Sequence, residues 1–230
     1  MNRRNFLYGS TCLLIFAGCK EVHPLPRIVI VGDSTAADYR PADGPLMGWG
    51  QALKEILDGR ATVLNLAVPG SSTKSFSKIY WARTRASLKP GDVLLIQFGH
   101  NDGALDPERH TDPHDLYPTL LSNFVADAKK AGARPILVTP LPRYRFSDGK
   151  VVNTHGLYPA VMREVARETG VPLVDMTELG AKAMEKLGEV PAREWFMVYF
   201  DGQDIVHLNH VGAMVLAKLV ESELQRIGVF

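Results

Sequence analysis

Five short runs rich in Val, Ile and Leu recur along this chain, with the apolar residues at consecutive rather than alternating positions. They are Ile28 to Val31, Thr62 to Leu66, Val93 to Phe98, Pro135 to Thr139 and Leu173 to Val174. A strand with one face in water reads apolar at every second residue, whereas a continuous apolar run suits a strand covered on both faces. Between the runs lie stretches with helical spacing: Gly50 to Leu57, Leu116 to Ala131, Leu157 to Thr169 and Leu179 to Leu187, and a last one from Val211 to Ile227. Gly132 and Gly170 follow two of them directly, as helix-ending glycines do. Strand and helix in alternation predict one α/β domain. Its parallel sheet of about five strands lies between two helical layers, a three-layer α/β/α sandwich. The segment 140–151 reads as a loop after the fourth strand.

The 230 residues are 46% hydrophobic and 22% charged, enough for one well-buried core. Lys and Arg number 26 against 25 Asp and Glu, a net charge of +1, so no nucleic acid partner is expected. The first twenty residues, MNRRNFLYGSTCLLIFAGCK, pair a positive start with a short apolar stretch and small residues before Cys19. That layout is an export signal rather than a spanning helix. Asn2 to Leu7 resembles a twin-arginine signal, and Phe16-Ala17-Gly18-Cys19 resembles a bacterial lipobox with Phe in place of the usual Leu. Residues 1–26 are therefore expected to be an export signal and anchor segment, and 27–230 the domain. Lipidated Cys19 would attach the protein to a membrane of the bacterial periplasm or cell envelope. Cys12 and Cys19 are the only cysteines, so neither a disulfide nor a thiolate metal site is expected in the domain.

In parallel sheets the functional residues lie beyond the carboxyl ends of the strands. Gly32-Asp33-Ser34-Thr35 follows the first run, Pro69-Gly70 the second, and Gly99-His100-Asn101-Asp102 the third. Asp204 and His207 precede the last helix. Chemistry assigns them roles. A serine hydroxyl needs a base, which His207 can supply to Ser34, and an imidazole needs a carboxylate to fix its tautomer, which Asp204 can supply. An oxyanion formed on attack needs donors, here the backbone N–H groups of Ser34 and Gly70 and the side-chain amide of Asn101. Asp201, Asp204 and His207 lack the further ligand that a metal site requires, and His110 and His114 read as loop residues. Trp49, Trp81 and Trp195 read as core. Arg143 and Arg145 read as solvated, with contact to an acidic sugar as the alternative.

The blocks GDSTAA, NLAVPGSSTKSF, LKPGDVLLIQFGHND and DIVHLNHVGA resemble those of the SGNH (GDSL-like) hydrolases, in particular the rhamnogalacturonan acetylesterase branch. The resemblance implies a flavodoxin-like sandwich, no metal or organic cofactor, and removal of O-acetyl groups from plant cell-wall polysaccharide such as pectin or xylan. It implies Ser34 as nucleophile, Asp204 and His207 as acid and base, Gly70 and Asn101 as oxyanion donors, and Asp33 as a support for the turn. Pro69 before Gly70, Ser71 after it and the pair Ile205-Val206 depart from the usual pattern. The expected substrate is thus an acetylated oligo- or polysaccharide. The alternatives are a short-chain lipase or thioesterase, and a non-catalytic glycan-binding protein of the envelope.

Overall fold

The computed structural model describes residues 25–230. The expected export signal, with Cys12 and Cys19, lies outside the described residues. Five parallel strands form the central sheet: β1 (Arg27–Val31), β2 (Thr62–Asn65), β3 (Val93–Gln97), β4 (Arg134–Val138) and, after a small hairpin of β5 (Phe146–Ser147) and β6 (Lys150–Val151), β7 (Leu173–Val174). Their spatial order is β2-β1-β3-β4-β7. The chain therefore winds outward in both directions from β1 and β3, which is the doubly wound order with its crevice between these two strands.

The consecutive apolar residues have a simple cause. Successive side chains of a strand point to opposite faces, so Ile28 and Ile30 enter one core while Val29 and Val31 enter the other. The first core is closed by α1 (Trp49–Ile56), α6 (Met176–Leu187) and α9 (His210–Arg226) through Trp49, Leu53, Met184, Leu216 and Val220. The second is closed by α2 (Thr73–Ile79), α3 (Trp81–Ser87), α4 (Leu116–Lys130) and α5 (Tyr158–Thr169) through Phe76, Trp81, Phe124 and Val165. Two short helices, α7 (Glu189–Ala192) and α8 (Val198–Asp201), lie between α6 and α9. No helix among the described residues is long and apolar enough to cross a membrane. The three-layer sandwich expected from the sequence is the fold observed.

Three local features differ from the sequence reading. Helices α2 and α3 are seven residues each and mostly polar, too short to present a periodic apolar face. Their single anchors, Phe76 and Trp81, are nonetheless buried. Helix α6 begins three residues early because the Asp175 carboxylate accepts the N–H of Glu178 and starts it at Met176. The loop after β4 contains the β5–β6 hairpin, turned by Asp148 and Gly149, both at positive φ, the pattern of a two-residue Asp-Gly turn.

The first helix is pressed onto the turn that follows β1. The N–H of Trp49 donates to the carbonyl of Thr35 at 2.8 Å. A Cβ at Gly48 would lie 2.2 Å from the Ala37 carbonyl oxygen and 2.5 Å from the Ala36 carbonyl carbon, both backbone atoms. Gly48→Ala should accordingly lower stability by about 3 kcal/mol and displace the turn, since no flexible side chain is there to yield. Denaturant unfolding of the variant, with a loss under about 1 kcal/mol, would show that the contact relaxes more cheaply.

Candidate active site

Strands β1 and β3 are adjacent and parallel, so the loops leaving Val31 and Gln97 emerge at one edge of the sheet. The N–H of Val68 donates to the Gly32 carbonyl at 3.0 Å, which brings the loop after β2 to the same place. The Asn101 side-chain amide donates to the Ser71 carbonyl at 2.9 Å, which ties the loop after β3 to it. The fourth loop, between α8 and α9, arrives from the far end of the chain. Its His207 carbonyl accepts from Met197, and its Leu208 carbonyl accepts from Met47. Asn209 then starts α9 by accepting the N–H groups of Val211 and Gly212, while its own amide donates to the carbonyls of Glu194 and Phe196.

These four loops bring the sequence-selected residues together. The Ser34 Oγ and His207 Nε2 are 2.9 Å apart, and His207 Nδ1 is 2.7 Å from Asp204 Oδ2. An ionised carboxylate is an acceptor only, so Nδ1 carries the proton and Nε2 accepts from the serine hydroxyl. The other oxygen of Asp204 accepts the N–H groups of Val206 and His207. Burial works against ionisation of this carboxyl, yet those two N–H groups and the imidazole hold it below the usual carboxylate range. A hydroxyl placed in this way can lose its proton as it attacks, because the imidazolium so formed is already paired.

Gly70 is at φ 78°, a conformation that favours glycine, and a Cβ there would meet nothing within 4 Å. The constraint is thus the backbone turn rather than crowding. Among the described residues no protein acceptor takes the N–H of Ser34 or of Gly70. Asn101 has one amide hydrogen on Ser71 and a second free.

Beneath the serine turn lies a buried polar network. Asp33 accepts the N–H of Thr35 and the amide of Gln97, each at 2.9 Å, and its Oδ1 lies 2.8 Å from the Thr35 hydroxyl. Gln97 in turn accepts the indole N–H of Trp49 at 3.1 Å. Burial pushes the Asp33 carboxyl above its ordinary range, against the pull of these donors. Tyr39 donates to the Ser34 carbonyl at 2.8 Å, and burial, with nearby Asp33, pushes its phenol up to about 12. Sequence reasoning missed Gln97 and Tyr39. The signal for Gln97 was a single polar residue inside an apolar strand, which nothing local pairs with Asp33.

The remaining sequence readings separate cleanly. Trp49, Trp81 and Trp195 are buried, as expected of core residues. His110 and His114 are exposed loop residues, and no metal-binding cluster occurs among the described residues. Arg145 is exposed, but Arg143 is half-buried and donates to the carbonyls of His100 and Thr154 at 3.2 and 3.4 Å. The solvated reading therefore fails for Arg143, because the loop after β4 folds it back under the loop after β3.

The sequence profile of the GDSL-like lipase/acylhydrolase family matches residues 30–215. The chain belongs to that family. Two relatives from Bacillus subtilis strain 168 illustrate the family around it. One, named as a probable rhamnogalacturonan acetylesterase (YesY), is 34% identical over 207 residues, covering 88% of this chain and 94% of its own. The other, the rhamnogalacturonan acetylesterase RhgT, is also 34% identical and is covered over 91% of its length. The crystal structure of YxiM, again from Bacillus subtilis, superposes with a TM-score of 0.79 at 28% identity over 89% of this chain. This GDSL-like chain spans 57% of the YxiM chain.

Proposed function

We propose that this GDSL-like hydrolase is a serine esterase that removes O-acetyl groups from a carbohydrate. The observation that carries the reading is the hydrogen-bonded series from Ser34 through His207 to Asp204. The family membership and the rhamnogalacturonan acetylesterase names of the two relatives support the choice of substrate. Ser34 attacks the acetyl carbonyl as its proton passes to His207 Nε2. The resulting oxyanion takes hydrogen bonds from the N–H groups of Ser34 and Gly70 and from the Asn101 amide. Collapse expels the sugar hydroxyl, which receives the proton from His207, and leaves Ser34 acetylated. Water, deprotonated by His207, then releases acetate. Asp33, held by Thr35 and Gln97, supports the serine turn without touching the ester.

Acetate release from acetylated rhamnogalacturonan, pectin and xylan tests the reading. Absence of release from all three, with nitrophenyl esters of long acyl chains cleaved faster than the acetate, would replace it with a lipase.

Export and anchoring through Cys19 belong to the same reading, supported by the paired arginines and the Phe16-to-Cys19 block. Cys19→Ala should move the protein from the membrane fraction of a bacterial host to the soluble fraction. An unchanged distribution would remove the anchor.

A further inference from the structure

The acid that precedes the nucleophile sits where a charge has no counterpart. Asp33 is fully buried, and among the described residues no lysine or arginine pairs with its carboxyl. An ionised carboxylate left unpaired in a dry interior is strongly disfavoured. Three short contacts join the carboxyl to Thr35 and Gln97 in a closed ring. Asp33 Oδ1 is 2.8 Å from Thr35 Oγ, and Thr35 Oγ is 2.9 Å from Gln97 Oε1. Gln97 Nε2 is 2.9 Å from Asp33 Oδ2 and completes it.

Counting hydrogens fixes the direction of each bond. The Trp49 indole can only donate, and it lies 3.1 Å from Gln97 Oε1. That atom is therefore the amide oxygen, and the hydrogens of Nε2 face Asp33. The Thr35 hydroxyl has one hydrogen but two oxygen neighbours in the ring, Asp33 Oδ1 and Gln97 Oε1. With Asp33 ionised, both neighbours only accept, so one of the two contacts holds no hydrogen. Two acceptors that close repel in a low-dielectric interior. A hydrogen on Oδ1 removes the conflict. The acid then donates to Thr35, Thr35 to Gln97, and Gln97 back to Oδ2, each bond running the same way round. Oδ1 still accepts the Thr35 N–H at 2.9 Å.

The surroundings favour the same state. Burial raises the Asp33 carboxyl against the pull of Thr35 and Gln97. His155 is neutral at ordinary pH, since burial pushes it down to about 3. Arg143 gives its N–H groups to the carbonyls of His100 and Thr154 rather than to Asp33. Asp102, Tyr39 and Tyr117 also lie close enough to interact with Asp33, and Asp102 once ionised opposes a second charge. We propose that Asp33 is a neutral carboxylic acid in the working enzyme, a positioning residue whose hydrogen closes the ring beneath the turn that carries Ser34. No anion then lies one residue from the Ser34 N–H when that N–H meets the oxyanion. This effect on turnover rests on the serine-esterase reading; the ring does not.

Carbon NMR of the protein labelled at its aspartate carboxyls reads the protonation state directly. At pH 7.5 Asp102, pushed up to about 6, is ionised. One resonance should nevertheless keep the shift of a protonated carboxyl, and it should vanish in Asp33→Asn. A wild-type spectrum with no such resonance overturns the proposal, and so does one that survives in Asp33→Asn. The wild-type spectrum needs neither a folded variant nor turnover. The second measurement is kcat on nitrophenyl acetate. Asp33→Asn can keep the ring, its nitrogen donating to Thr35 and its oxygen accepting from Gln97, at the cost of the contact with the Thr35 N–H. Asp33→Ala opens the ring. Turnover of the Asn variant should exceed that of the Ala variant at least about tenfold with similar KM, the scale of one or two buried hydrogen bonds. If the site needed an anion at this place, both variants would be equally slow, and that result overturns the neutral acid. Should the wild type not cleave the ester at all, the esterase reading fails, while the resonance still decides the state of Asp33.

Discussion

Ser34→Ala should lower turnover of an acetyl ester by about a millionfold while leaving the fold in place, the scale seen when the nucleophile of a comparable triad is removed. The size of the effect follows from the sequence of contacts. The hydroxyl is 2.9 Å from His207, and His207 is 2.7 Å from Asp204, so base and carboxylate act only through that oxygen. Without it the proposed oxyanion donors should sustain only a small residual rate. Stability should change by less than about 1 kcal/mol, because the hydroxyl has a single protein partner, His207. Acetate release and thermal unfolding of the same preparation separate the two effects. Retention of more than about one per cent of activity, a loss of under 3 kcal/mol in transition-state stabilisation, would remove Ser34 from the nucleophilic role.

Asp102 should show the largest effect on stability. It is buried where three loops meet. One carboxylate oxygen accepts the N–H and hydroxyl of Thr73 and the hydroxyl of Thr111, and the other accepts the N–H of Gly99. Asp102→Ala leaves four donors without this acceptor and should cost about 3 kcal/mol or more. Asp102→Asn separates charge from shape. Burial pushes this carboxyl from 3.8 up to about 6, against its donors. A group raised in the folded state contributes stability that is fully present below its unfolded value and is lost as pH rises through the folded one. The advantage of wild type over Asp102→Asn should therefore shrink by up to about 3 kcal/mol between pH 4 and pH 7. Denaturant unfolding of both proteins across that range checks this. An advantage that is constant with pH, or that grows, would mean that the carboxyl is not raised.

The sheet and the grouping of Ser34, His207 and Asp204 were readable for the same reason: each depends on residue types whose constraints are local or shared by many chains. Val29 and Ile30 need cover on both sides whatever their neighbours are, so a continuous apolar run suffices to predict the layer order. Ser34, Gly70, Asn101, Asp204 and His207 follow strands or precede a helix, at the sheet edge where parallel α/β folds gather functional groups. Helices α2 and α3 escaped because each is held by one buried aromatic residue and shows no repeat. The Asp-Gly turn of the β5–β6 hairpin was visible, but strands of two residues leave no periodicity to accompany it.

Gln97 and Arg143 lay beyond the sequence because their roles depend on partners far along the chain. Gln97 meets Asp33 across 64 residues, and Arg143 meets His100 across 43. Nothing in the local composition distinguishes these contacts from those of any strand glutamine or loop arginine. By itself the sequence determined a doubly covered parallel sheet and the residue types gathered at its carboxyl edge, since both follow from burial and backbone periodicity. Only the tertiary structure decided which groups sit under the serine turn, and that Arg143 is folded back onto the carbonyls of His100 and Thr154. Hydrogen bonding and desolvation depend on separations of a few ångströms, and only folding sets those between residues so distant in the chain.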